Sequence, residues 1–98
     1  MDKIPTPHFG EFLVDLLSKR AQAVSQRQLA LATGISQSQI NLICTGKRRL
    51  SLEIALMIEE ATSLSADYLL RLQTGIEEER LKEDKDFQAK LKAIQKIA

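Results

Sequence analysis

The sequence predicts an all-α fold of five to six helices, and three features of its 98 residues carry that expectation. Both prolines fall within the first seven residues, and the β-branched and aromatic runs that build strands are sparse. Apolar residues recur at helical spacing along most of the chain. Serines at 25, 36 and 65 stand where helix N-caps are needed.

Residues 1–8 read as an extended, mobile N-terminal arm, because Pro5 and Pro7 keep their neighbours out of helical conformation. A first helix fits from Phe9 to about Ala23, with Phe12, Leu13, Leu16 and Leu17 forming one stripe. Ser25-Gln26-Arg27-Gln28 has the form of a capping box and opens a short helix with Leu29, Ala30 and Ala32 inward. Gly34 is suited to end it, since glycine adopts positive φ without penalty. Ser36-Gln37-Ser38-Gln39 repeats the capping pattern and starts a third helix, with Ile40 and Ile43 inward, that Gly46 stops. Leu50-Ser51 begins a fourth helix carrying Ile54, Ala55 and Ile58, and Ser65 caps a fifth with Tyr68, Leu69 and Leu72. Gly75 is expected to break or bend the chain before a last, charged segment, in which Phe87, Leu91 and Ile94 form a narrow stripe suited to a partner helix. The domain division expected is thus 1–8 arm, 9–76 compact domain, and 77–98 charged C-terminal helix.

Composition excludes several functions. One cysteine and one histidine rule out a disulfide framework and leave too few soft ligands for zinc, and neither residue has the companions of a nucleophile or general base. No metal, cofactor or catalytic residue is therefore expected. No signal-peptide core and no run near ~18 apolar residues is present, so a cytoplasmic protein without a membrane partner is the expectation. The formal charge of +1 hides an asymmetry: residues 1–50 carry seven basic and three acidic side chains, residues 51–98 seven and ten. The basic half suits an anionic partner, and the acidic half suits its own dimer or a basic protein.

Two short helices joined by a tight glycine-containing turn, residues 26–45, are the sequence image of a helix-turn-helix. The second helix of such a unit presents its exposed side chains to base edges in the major groove, which calls for short or amide-bearing hydrogen-bonders. Gln37, Ser38, Gln39 and Asn41 meet that need, and Leu42 can pack on a thymine methyl. Gln26, Arg27, Ser36, Lys47, Arg48 and Arg49 flank that helix where phosphates would lie and would supply affinity without reading sequence. The same polar residues would also serve as a solvated helix face with ordinary caps.

The stretch from Ser25-Gln26-Arg27-Gln28 through Thr33-Gly34-Ile35-Ser36-Gln37-Ser38-Gln39-Ile40 to Thr45-Gly46-Lys47-Arg48 resembles the Xre/Cro/C1-type helix-turn-helix of phage repressors. More narrowly, His8-Phe9-Gly10-Glu11, Gly46-Lys47-Arg48-Arg49-Leu50-Ser51 and Ser65-Ala66-Asp67-Tyr68-Leu69 resemble the HigA antitoxins, over about residues 8–80. Phe9 stands where that family usually has Pro, and Leu69 where it usually has Trp.

The resemblance implies a lambda-repressor-like DNA-binding domain with a C-terminal helical extension. It also implies a dimeric antitoxin that occludes a HigB-like ribonuclease toxin and represses its own operon. Gln37 and Ser38 match its base-reading positions, Gln26 and Asn41 its backbone-positioning ones, and Lys47 its basic loop.

The function expected is a homodimeric repressor of double-stranded operator DNA, bound at two half-sites ~34 Å apart. Leu52, Leu56, Tyr68 and Leu72 are the expected dimer surface. A stand-alone regulator without a toxin is the rival reading.

Overall fold

The computed structural model describes residues 4–97, and six helices make up the architecture there: α1 Phe9–Ser18, α2 Gln26–Thr33, α3 Gln37–Cys44, α4 Leu52–Thr62, α5 Ala66–Glu83 and α6 Lys85–Ala93. Five of them enclose one core. Phe9, Leu13 and Leu17 of α1 meet Leu29 of α2, Ile40 and Ile43 of α3, Ala55 and Ile58 of α4, and Leu69 and Ile76 of α5, all buried. Leu50, in the loop between α3 and α4, is fully enclosed with them.

The serine caps form as the sequence indicates. Oγ of Ser25, Ser36, Ser51 and Ser65 each accepts a hydrogen bond from the backbone N–H three residues on. At Ser25 the capping box is complete, with Gln28 returning a bond to the Ser25 N–H. At Ser36 only the serine half exists. Gln39 does not fold back and instead lines a cleft beside Arg48 and Ser51.

Gly34 and Gly46 adopt left-handed conformations, φ 77° and 79°. Around Gly46 the amides of Gly46 and Lys47 bond the carbonyls of Ile43 and Leu42, the two crossed bonds of a Schellman ending. A Cβ at Gly46 would also strike the ring of His8, so this position needs glycine twice over. Where α1 crosses α3, Gly10 lies against the backbone carbonyls of Ile43 and Cys44, an approach no Cβ would permit. Cys44 is buried, and desolvation pushes its thiol pKa up, away from nucleophile chemistry.

Four expectations are corrected. Helix α1 ends at Ser18 rather than near Ala23: beyond Leu17 the sequence offers no inward residue until Val24. Arg20 leaves the helical path to donate to the Thr62 carbonyl at the end of α4. Ala32 is exposed, because α2 turns Leu29 and Ala30 inward.

Gly75 neither breaks nor bends the chain. α5 runs through it for 18 residues, held on both sides by buried Gln73 and Ile76, so a boundary between 76 and 77 lies inside one helix. The break comes at Asp84, which ends α5 and caps α6 by accepting from the Asp86 and Phe87 amides.

The arm is pinned rather than free at Thr6, whose N–H and hydroxyl both donate to the Glu83 carboxylate. Residues 1–3 of the expected arm, and residue 98, lie outside the described residues. No helix among those described is long and apolar enough to cross a membrane.

Candidate nucleic-acid interface

α3 has two faces with different chemistry. Ile40, Ile43 and Cys44 are buried against α1 and α2, whereas Gln37, Ser38, Gln39, Asn41 and Leu42 are all exposed. At 100° per residue Ser38, Leu42 and Thr45 project opposite the core, with Gln37 and Asn41 on the flank toward α2 and Gln39 on the flank toward α4. Leu42, 37% exposed, is the apolar member of an otherwise hydrogen-bonding surface.

Thr45 completes this stripe. Its i+3 spacing from Leu42 is the sequence signal that places it there. Its hydroxyl donates to the Asn41 and Leu42 carbonyls and keeps an acceptor outward.

α2 and α3 are linked across the turn by Asn41 Nδ2 donating to Gln26 Oε1 at 3.2 Å. That bond fixes the amide of Gln26 at the first turn of α2, beside exposed Arg27. Four of the six described helices carry an acidic residue in the first turn, namely Glu11, Glu53, Asp67 and Asp86. α2 and α3 carry none. Their positive dipole ends, with the first-turn amides that Ser25 and Ser36 do not cap, suit an external anion such as a phosphate.

The loop that follows α3 divides its three cations. Lys47 and Arg48 are exposed and unpaired among the described residues. Arg49 points the other way and grips Glu77 of α5, Nε to Oε2 at 2.7 Å and Nη2 to Oε1 at 2.6 Å. This pairing lowers the Glu77 carboxyl pKa and raises that of Arg49. The free chain therefore offers two cations in this loop to a phosphate, not three.

The loop itself is anchored by Gln73, whose buried amide bonds both backbone groups of Leu50. Sequence reasoning missed both anchors. Glu77 stands in an acidic run, Glu77-Glu78-Glu79, in which nothing marks one carboxylate as the partner of Arg49, and Gln73 carries no signal beyond its inward register between Leu69 and Ile76.

An exposed helix with amide and hydroxyl side chains, tied by a three-residue turn to a helix with no acidic residue in its first turn, is the geometry of a major-groove reader. The helix-turn-helix family matches residues 19–69, just over half the chain, from the end of α1 into the first turn of α5. The chain belongs to the helix-turn-helix family, of the Xre/Cro/C1 type. Its six helices, with no strand among the described residues, form the lambda-repressor-like fold expected. This helix-turn-helix protein is a DNA-binding transcriptional regulator whose ligand is double-stranded DNA. No match was found among curated proteins or among solved structures.

The remaining expected positions in the helix-turn-helix protein are Leu52, Leu56, Tyr68 and Leu72. The first three are exposed and Leu72 is half-buried, on a face formed by α4 and α5.

Proposed function

We propose that this regulator is a sequence-specific repressor that binds a palindromic operator as a homodimer. On this reading Gln37, Ser38, Asn41 and Leu42 read base edges, with Gln39 at their margin. Gln26, Arg27, Ser36, Lys47 and Arg48 hold phosphates. The observation that carries this reading is the pairing of the exposed α3 stripe with two helix N-termini that lack an acidic first turn. A single short helix in one groove binds weakly, and two-fold symmetry doubles both kinds of contact. Two exposed apolar faces are available to join copies: the α4–α5 face with Leu52, Leu56, Tyr68 and Leu72, and a groove between α5 and α6.

The resemblance to HigA antitoxins supports a second role, occlusion of a HigB-like ribonuclease with repression of the shared operon. The acidic second half of the chain is electrostatically suited to a basic toxin.

Two measurements test these roles. Fluorescence anisotropy with the duplex upstream of the protein's own reading frame is expected to give tighter binding than a scrambled duplex, and equal affinities would sink the repressor reading. Co-expression with the product of the adjoining reading frame is expected to yield a stable complex that suppresses ribonuclease activity. Without such a complex the protein is a stand-alone regulator.

A further inference from the structure

α6 poses a problem that the rest of the fold does not. It has nine residues and none of them is buried, whereas isolated helices shorter than ~12–15 residues are marginal in water. Its support is the end of α5, through half-buried Phe87 and the Gln88 side chain donating to the Leu81 carbonyl. Between the two helices runs an open groove bordered by Leu81, Phe87 and Leu91. Leu81 and Leu91 are 41% and 45% exposed, and Ile94 beyond them 68%. Such a row of apolar side chains on a charged segment calls for a cover.

Charge identifies the cover. Residues 77–84 carry five acidic and two basic side chains, net −3, or −2 once the Arg49 that clamps Glu77 is included, and residues 85–97 four basic and one acidic, net +3. No ion pair among the described residues uses Lys85, Lys90, Lys92 or Lys96. In a two-fold contact residue i of one copy meets j of the other while j meets i, so packing α5 of each copy against α6 of the other sets an acidic segment against a basic one, twice. The α4–α5 face has the opposite property. Residues 52–72 hold four acidic side chains and one basic, Arg71, already paired with Asp67. Two copies joined there would bring like charges together.

We propose that the groove between α5 and α6 seats the same groove of a second copy of this chain, α5 of one against α6 of the other. The inference rests on the dimeric reading above and names its surface.

The test is the mass of the full-length chain in solution by sedimentation equilibrium, with folding checked by circular dichroism. The wild type is expected at the mass of two chains. Leu91→Asp is expected to halve that mass, and Leu56→Asp to leave it unchanged. Two charge-reversed variants keep the result independent of any loss of α6: Lys90→Glu with Lys92→Glu, and Glu78→Lys with Glu79→Lys. Each alone is expected to be monomeric, and a mixture of the two to restore the two-chain mass.

A monomeric wild type, a dimer that survives both reversals, or a dimer lost with Leu56→Asp but kept with Leu91→Asp would overturn the assignment. Operator binding is read separately. A wild-type monomer that still prefers its operator removes this interface and leaves the DNA reading standing, whereas a dimer with no DNA preference does the reverse.

Discussion

Gln73 of α5 holds both backbone polar groups of Leu50: its Oε1 accepts from the Leu50 N–H at 2.7 Å and its Nε2 donates to the Leu50 carbonyl at 2.9 Å. Both residues are buried, Gln73 2% exposed and Leu50 0%. Leu50 stands between the basic loop after α3 and the cap of α4, so this amide fixes the far end of the loop whose near end the Lys47 and Arg48 amides tie to the Leu42 carbonyl. One turn further along α5, Glu77 clamps Arg49. A helix that carries none of the expected DNA contacts thus anchors the far end of the basic loop, at Arg49 and Leu50.

Replacing Gln73 with Leu leaves a buried N–H and a buried carbonyl without partners. Each such group costs about 1–3 kcal/mol. The expected outcome is a loss of about 3 kcal/mol in urea unfolding, a large share of the roughly 5–15 kcal/mol that stabilises a domain. A loss near zero would mean the loop finds other partners.

The Arg49–Glu77 pair gives a signed pH dependence. Arg49 lowers the Glu77 carboxyl pKa chiefly through its hydrogen bonds, with partial burial opposing. A folded-state pKa below the unfolded one contributes stability that is complete above the unfolded value, about 4.3, and fades as the pH falls through the folded value. The wild type is therefore expected to lose more stability than Glu77→Gln on acidification below that value. Both side chains are well exposed, so the difference should stay within about 1 kcal/mol. Parallel urea titrations at neutral and acidic pH measure it.

The same pair predicts unequal roles for neighbouring arginines. Arg48→Ala is expected to weaken operator and random duplex alike and to flatten the salt dependence of binding by roughly one unit. Arg49→Ala is expected to flatten it by clearly less, because Glu77 already neutralises that guanidinium. Equal slopes for the two variants would show that DNA displaces Glu77.

Gly75 sits mid-helix in α5 with open space where a Cβ would be. Glycine inside a helix costs roughly 0.5–1 kcal/mol relative to alanine. Gly75→Ala is expected to raise the thermal midpoint with no change in DNA affinity, and a fall in the midpoint would show that the position needs glycine.

These cases show where sequence reading succeeds in this chain. Ser25, Ser36, Gly34 and Gly46 act on residues within a few positions of themselves, so α2, the turn and α3 were legible from local chemistry, as was the exposed stripe of α3. Gly75 misled because its local cost is outweighed by Gln73 and Ile76 packing against distant elements, which no local pattern reports. The end of α1 was misread for the same reason, since Arg20 is drawn to Thr62 across the fold. In the site, the identities of Gln37, Ser38, Asn41 and Leu42 pointed to their face. The withdrawal of Arg49 depends on Glu77, 28 residues away, and became visible only in three dimensions.

The most direct test concerns α3 as the reader of base edges. A duplex is selected from a random pool with the wild-type protein, and the affinities of wild type and Gln37→Ala for it and for a scrambled duplex are measured by anisotropy at one salt concentration. A bidentate base contact is worth about 1–3 kcal/mol of discrimination, roughly 5- to 150-fold. Gln37→Ala should lose affinity in that range on the selected duplex and stay within about twofold on the scrambled one. An equal loss on both duplexes would contradict direct readout by α3.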